Sequence, residues 1–419
     1  MFVVLLLIYT LLPAYAYAYI DPGSGGVLFT TLVAFISSIV FTFRAFFYNV
    51  LGFVYKLFSK EIYMDKSGIV IHSEGRQYWS VFKPIVDEFE QRKIVYRYLT
   101  TDDSDPALSY PVKYGSVIFI GKPGNKSYSV LNFLKADIVL TTTPGLDVYQ
   151  VKRSKGVKHY SHIMHTLREP VYRVFGLDYF DSVLINGQHQ EEYIRKIEQA
   201  HKVPQKQLFT VGSTYVDELS KKVTKLPKVD TTNTILVAPS WGKEALLSRY
   251  GDKILKILLD AKYKVIVRPH PQSYIVEKDM LDSIKNNLKN YNNLSWDEET
   301  DNIISMSKSC LMISDFSGVI MDYAVLFKKP IITLKFDFDN TQYDLQDITG
   351  DILTFSILNQ VGVQVDEHSI NNLPNIITTI KADSSYQINC EKLAKQVWSL
   401  PNQAGKRTVD TLIKIHEAL

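Results

Sequence analysis

The chain has 419 residues, 46% hydrophobic and 22% charged, with a formal net charge of +3. A single core rarely organises that length, so two domains and an additional segment are expected. The small charge excludes the strongly basic surface of a nucleic-acid binder, and the lack of low-complexity tracts excludes a disordered chain.

The chain opens on hydrophobic segments. Residues 1–20 carry no charge and end in Ala14-Tyr15-Ala16-Tyr17-Ala18, small residues at alternate positions as at a signal-peptidase site, without the usual basic n-region. A turn-rich break, Asp21 to Gly26, precedes an uncharged run from Val27 to Phe43 that is just long enough to span a bilayer. Either the first segment is cleaved and one helix remains, or both stay as a hairpin. In both cases Arg44, Lys56 and Lys60 lie on the cytoplasmic side, and the aromatic stretch between them suits the inner interface. A buried hairpin of a soluble protein is the alternative. The expectation is therefore an anchor over residues 1–60 in a bacterial inner membrane, with the catalytic domains facing the cytoplasm. The two cysteines, Cys310 and Cys390, lie in no ligand spacing, and free thiols in a reducing compartment are expected.

From about Ile62 strands and helices alternate. Gly68 to His72, Ile94 to Leu99, Ser116 to Gly121 and Ile138 to Thr141 read as strands, and Trp79 to Gln91 has helical periodicity. A Lys-rich stretch from Ser220 to Asn233 reads as a linker. Alternation then restarts with strands at Thr234 to Ala238, Lys264 to Arg268, Leu311 to Ser314 and Ile331 to Leu334, and a helix over Lys253 to Ala261. The fold class expected is α/β, with two Rossmann-like parallel-sheet domains, 61–222 and 223–419, facing a cleft where ligands meet the carboxyl ends of strands. No GxGxxG occurs, so a dinucleotide fold is not indicated.

Four constellations fall at strand ends. In Arg268-Pro269-His270-Pro271 two prolines fix the backbone, and a guanidinium beside an imidazole suits a diphosphate; an ordinary loop is the alternative. In Ser314-Asp315-Phe316-Ser317-Gly318 a strand passes into a helix, and Ser317 and Gly318 sit where free N–H groups would hold an anion. A plain helix cap is the alternative there. Asp322, one turn on, suits a ligand hydroxyl. In His159-Tyr160-Ser161-His162-Ile163-Met164-His165 the spacing invites a zinc site, but no fourth ligand accompanies it. If the run is a strand, His159 and His165 share a face, and His165 is the candidate general base. In Ala238-Pro239-Ser240-Trp241 a hydroxyl and an aromatic follow a strand, and Trp241 lines either the cleft or the core.

The order of these elements resembles the CDP-glycerol:glycerophosphate glycerophosphotransferases, a GT-B-fold family of wall and capsule polymer enzymes. The resemblance rests on His165, Ala238 to Trp241, Arg268 to Pro271, and Ser314 to Gly318 with Asp322. It is supported by Ile71-His72-Ser73-Glu74-Gly75 with Trp79, by Phe180 to Gly187, by Phe209 to Asp217 and by Gly405-Lys406-Arg407. The chain departs from the family pattern at Thr166, where Gly is usual, and at Gly318, where a second Ser is common. The resemblance implies a transferase that moves glycerol phosphate, or a related alditol phosphate, from CDP-glycerol to a lipid-linked or polymer hydroxyl acceptor at the membrane. His165 and His270 would be catalytic. Arg268, Ser240, Trp241, Ser314, Asp315, Ser317, Gly318 and Asp322 would bind the CDP-alditol. No metal or other cofactor is expected, and no nucleic-acid partner. A nucleotide-sugar glycosyltransferase and a non-catalytic envelope scaffold are the rival readings.

Overall fold

A computed structural model of the chain describes residues 67–299, 301–335, 341, 343–348 and 356–419, together with Phe35 and Ile39. The anchor expected over residues 1–60 lies outside them apart from those two positions. Among the described residues no helix is long and apolar enough to cross a membrane.

Two parallel sheets organise the rest. The first runs β1 (Ser67–Ser73), β2 (Tyr96–Thr100), β3 (Gly115–Phe119), β4 (Ala136–Thr141), β5 (Val157–Ile163), β6 (Ser182–Ile185) and β7 (Gln207–Thr210). Its spatial order is β3-β2-β1-β4-β5-β6-β7. The second comprises β8 (Thr234–Val237), β9 (Lys264–Val267), β10 (Leu294–Trp296), β11 (Leu311–Ser314), β12 (Ile331–Leu334) and β13 (Gly362–Val365), in the order β10-β9-β8-β11-β12-β13. Each sheet reverses its winding direction once, between β1 and β4 and between β8 and β11. A doubly wound sheet leaves a crevice at the carboxyl ends of such a strand pair.

The strands are short apolar runs because both sheet faces are covered. β8, β11 and β12 are buried along their whole length. Helix α1 (Trp79–Arg92) shows the complementary pattern. Val81, Phe82, Ile85, Val86 and Phe89 form one buried stripe against the first sheet, and the helix stops where Lys93 takes a left-handed conformation. Helix α2 (Asn125–Asn132) covers the other face, with Val130 and Leu131 in its core.

Two features depart from the sequence expectation. The stretch expected to be a linker begins as helix. After α3 (Gln188–His201), α4 (Thr214–Val223) carries the chain across the boundary expected at 222/223, and only the residues after it are irregular. The chain also ends in the first half. Following α5 to α13 (Leu246–Tyr250, Lys253–Asp260, Ser273–Val276, Lys278–Asn287, Ile303–Lys308, Val319–Phe327, Leu358–Val361, Leu373–Ala382 and Ser385–Val397), α14 (Ala404–Glu417) inserts Val409, Leu412 and Ile415 into the core that α1 shares with the first sheet. Gly405 permits this approach, since a Cβ there would lie 2.5 Å from the Pro84 carbonyl oxygen. Buried Asp217 of α4 holds the crossing segment, accepting from the Trp398 indole at 2.9 Å and from the backbone N–H groups of Asn402 and Ala404.

The two halves share apolar contacts. Leu167 and Val216 pack into the cluster of Met312, Ile320, Ala324 and Leu393. Cys310 and Cys390 are free thiols.

Candidate functional site

A pocket of about 270 Å³ opens where the halves meet. Its first wall is the start of α1 with Tyr78, together with the loop His165–Arg168 that follows β5. Tyr215 of α4 and the first turn of α10, with Gly318 and Asp322, form the second. β5 ends at Ile163, so His165 lies beyond the strand, and the expectation that it shares a strand face with His159 does not hold.

The histidines of this run separate. His159 meets the Ser182 hydroxyl at 2.8 Å and His162 meets Tyr172 at 3.0 Å, both in the interior. His165 alone lines the pocket, edge-on to Tyr78 with ring centroids 5.1 Å apart. Burial, reinforced by the Arg168 charge, lowers its pKa to about 4, so the imidazole is neutral at physiological pH.

Asp322 moves the other way. Burial raises its carboxyl to about 7, although the Tyr215 hydroxyl donates to Oδ2 at 2.9 Å and the Arg168 charge favours ionisation. The Arg168 guanidinium reaches across the pocket: a Cβ built on Gly318 would lie 4.0 Å from its Cζ. Gly318 stands immediately before α10, which starts at Val319 without a side-chain cap. The helix start at Gly318, the Arg168 charge and Asp322, partly protonated at neutral pH, therefore surround one small space, an arrangement suited to an anionic group with hydroxyls. From sequence Arg168 stands out only as a basic residue three positions after the candidate base, as the family pattern has it, and not as a site residue.

The remaining candidates gather at the carboxyl ends of β8, β9 and β11. Trp241 is 46% exposed, which rules out the core alternative, and its ring stands 6.2 Å from that of His270. His270 is partly buried, and burial lowers its pKa even though Asp315 and Glu277 pull the other way. Its Nδ1 accepts from the Gln272 N–H at 3.2 Å.

Asp315 is buried, and its oxygens accept from the backbone N–H groups of Ser240 (2.9 Å), Leu246 (2.8 Å) and Phe316 (2.7 Å). The Ser314 hydroxyl donates to the Ala238 carbonyl at 2.6 Å. These two side chains thus tie the β8 and β11 loops together, while the buried Ser240 hydroxyl has no partner. The Arg268 guanidinium is held by Asp297 at 2.7 Å, and the Ser305 hydroxyl caps the same carboxylate. Ser317 is partly buried and gives its carbonyl to the Ile320 N–H at 3.3 Å.

Comparison with known proteins bears on what this site serves. A search of curated protein sequences returned no match. Among solved structures, the wall teichoic acid polymerase TagF soaked with CDPG aligns at a TM-score of 0.55 and 17% identity, over 93% of this chain and 98% of that one. UDP-GlcNAc 2-epimerase from Neisseria meningitidis, bound to UDP-GlcNAc, aligns at 0.53 and 16%, over 84% and 100%. The S. aureus MnaA–UDP structure aligns at 0.55 and 14%, over 85% and 98%. At these identities the likeness is one of fold, and it makes the paired sheets GT-B-like. The family description "CDP-Glycerol:Poly(glycerophosphate) glycerophosphotransferase" matches residues 177–398, which is more than half of the chain and contains the whole second sheet. The chain belongs to this glycerophosphotransferase family and is an enzyme of that class.

Proposed function

We propose that the protein transfers glycerol phosphate, or a related alditol phosphate, from CDP-glycerol to a hydroxyl acceptor of a cell-envelope polymer and releases CMP. The observation that carries this reading is the pocket between the halves, where a neutral imidazole, a guanidinium, a helix amino terminus and a carboxyl with a raised pKa converge.

In this reading the diphosphate lies against the start of α10 at Ser317 and Gly318 and against Arg168, with Arg268 and His270 on the side of the second sheet. Asp322 takes a hydroxyl of the alditol. The acceptor oxygen attacks the phosphorus that carries the alditol. The bond to the bridging oxygen breaks, and CMP leaves with the electron pair. His165 takes the acceptor proton. Burial and the Arg168 charge depress its pKa, and a diphosphate anion beside it would raise it towards the ordinary imidazole range. Charge that develops on the leaving phosphate is met by His270, Arg268 and the backbone amides, so positioning and electrostatics supply most of the rate. Ser240 and Trp241 border the cytidine side. Ser314 and Asp315 contribute by fixing the loops that carry them.

The uncharged segments of residues 1–60 support attachment to the inner membrane, where a lipid-linked acceptor would be met in two dimensions.

The test is release of CMP by the full chain, with a membrane-lipid extract as acceptor source, comparing CDP-glycerol, CDP-ribitol and a UDP-sugar. CMP from one CDP-alditol, lost in His270→Ala, is the expected result. UDP release in its place would move the protein to the glycosyltransferases. Failure of wild type to bind any of the three would point to a scaffold.

A further inference from the structure

The second pocket of interest is not the transfer site. It occupies about 400 Å³ at the switch point of the first sheet, between the carboxyl ends of β1 and β4. Small-molecule sites of ~300–1,000 Å³ occur preferentially at such points. At the corresponding point of the second sheet Ser314 and Asp315 are engaged with the β8 loop, whereas here the His72 ring faces a cavity.

His72 is the penultimate residue of β1 and is 4% exposed. Its Nδ1 lies 3.1 Å from the Thr141 hydroxyl. That oxygen also accepts the Thr143 N–H at 3.1 Å and can either donate to Nδ1 or accept from it, so Nε2 is left as a donor in one tautomer and as an acceptor in the other. Burial lowers the His72 pKa to about 4, which keeps the ring neutral. Among the described residues the buried Nε2 has no partner. A ligand hydroxyl, which both donates and accepts, would satisfy it in either tautomer.

Glu74 adds a carboxyl near Thr143, with its pKa raised by burial. The remaining wall is mixed: five aromatic rings (Tyr78, Tyr128, Tyr149, Tyr160 and Phe180) stand beside aliphatic side chains such as Leu131 and Val139. Gly145 makes room for one of these rings, since its φ is +77° and a Cβ there would lie 2.4 Å from Tyr149.

This lining discriminates between ligands. A phosphate chain would meet Glu74, and among the described lining residues none is Lys or Arg. An alkyl chain would leave both His72 Nε2 and Glu74 unsatisfied. A neutral ring with hydroxyls on its edge and C–H groups on its faces satisfies all three kinds of wall.

We propose that this pocket is an acceptor subsite for a neutral pyranose ring, so that the attacking hydroxyl is carried by a sugar unit. Tyr78 lines this pocket and the transfer pocket alike, and it stands edge-on to His165. A ring seated here therefore has the candidate base one aromatic side chain away. The inference rests on the transferase reading above for what happens to that hydroxyl, and on the pocket alone for what binds.

The test is calorimetry and saturation-transfer NMR on the full chain in lipid nanodiscs. Methyl β-D-glucopyranoside and methyl N-acetyl-β-D-glucosaminide serve as neutral probes and sn-glycerol 3-phosphate as the charged one. CDP-glycerol is titrated into the same samples. Saturable binding of a neutral glycoside is expected, weakened about tenfold by His72→Ala and by the rim variant Tyr149→Ala, as for loss of one buried contact. CDP-glycerol affinity should be unchanged in both variants. The proposal is overturned if no glycoside binds while CDP-glycerol does, if sn-glycerol 3-phosphate is preferred, or if glycoside binding ignores both variants. Glycoside binding by a wild-type protein that does not bind CDP-glycerol would uphold the pocket and overturn the transferase reading.

Discussion

Replacing Asp322 by Asn tests the charge state of the transfer pocket directly. The native carboxyl has its pKa raised from the ordinary 3.8 to about 7, chiefly by burial. A raised carboxyl binds its proton more tightly in the native state than in the unfolded chain. Stability is therefore lost as pH climbs from the unfolded value to the native one, and no further loss occurs above it. From about pH 5.5 to about pH 8 the native group remains in its costly window for ~1.5 units, which corresponds to ~2 kcal/mol. Asn keeps an oxygen for the Tyr215 hydroxyl, 2.9 Å away in the wild type, but has no ionisation to resist. His72 and His165 have lowered values and impose the opposite slope between about 4 and their ordinary 6.5, but they do so equally in both proteins and cancel in the difference. The assay is urea denaturation of wild type and Asp322→Asn at both pH values. The advantage of the variant should grow by ~2 kcal/mol towards alkaline pH. An advantage that is constant or shrinks would mean that Asp322 is ionised throughout, and the near-neutral carboxyl would be wrong.

Other expectations are simpler. Arg168→Gln should weaken CDP-glycerol binding about 10- to 100-fold, the worth of a charge-assisted hydrogen bond, while the denaturation midpoint holds or rises, because among the described residues no carboxylate lies at ion-pair distance from its guanidinium; calorimetry and urea melts read the two effects. Asp315→Ala strips the acceptor from three backbone N–H groups and should cost about 2–4 kcal/mol of stability in the same melts. His201 meets Asp178 at 2.8 Å and Asp347 at 3.1 Å. Burial alone would lower its pKa, but these hydrogen bonds outweigh burial and raise it. The contact that holds residues 343–348 to α3 should therefore be intact below about pH 6.5 and weaken as pH passes the raised value. Hydrogen exchange in that segment should show this slope in wild type and not in His201→Ala.

The sequence made the sheets legible where burial forces a distinctive composition. β11 and β12 are four-residue apolar runs bounded by polar breaks, and the expected and observed limits coincide. β7 and β10 escaped because they are short and mixed, with Gln207 and Ser295 exposed. The site was legible as a set of strand ends, which is how His165, Gly318 and Asp322 could be named without coordinates. What stayed hidden depends on contacts distant in sequence. Arg268 reads as a free guanidinium until β10 pairs with β9 and brings Asp297 alongside. Asp315 reads as a ligand group until its three amide partners are seen. The return of α14 to the first sheet has no local signature at all, because its apolar stripe would suit either core.

The contrast between the two switch points bears on why the transfer pocket sits where it does. In the second sheet Ser314 and Asp315 are engaged in hydrogen bonds to the β8 loop, so these two side chains are not the groups that would take up a phosphate. The start of α10, one turn beyond them, is the electropositive element that borders the pocket. A helix end alone holds an anion only weakly at an exposed position. Arg168 adds a full charge from the opposite half, at a point where Leu167 is already locked into the shared core. Packing of Leu167 fixes the backbone beside the guanidinium, so the charge is positioned before any ligand arrives. Preorganised charge of this kind costs little reorganisation when the phosphoryl group moves. In the reading proposed above both halves are needed together, because His165 and Arg168 belong to one and the start of α10 to the other.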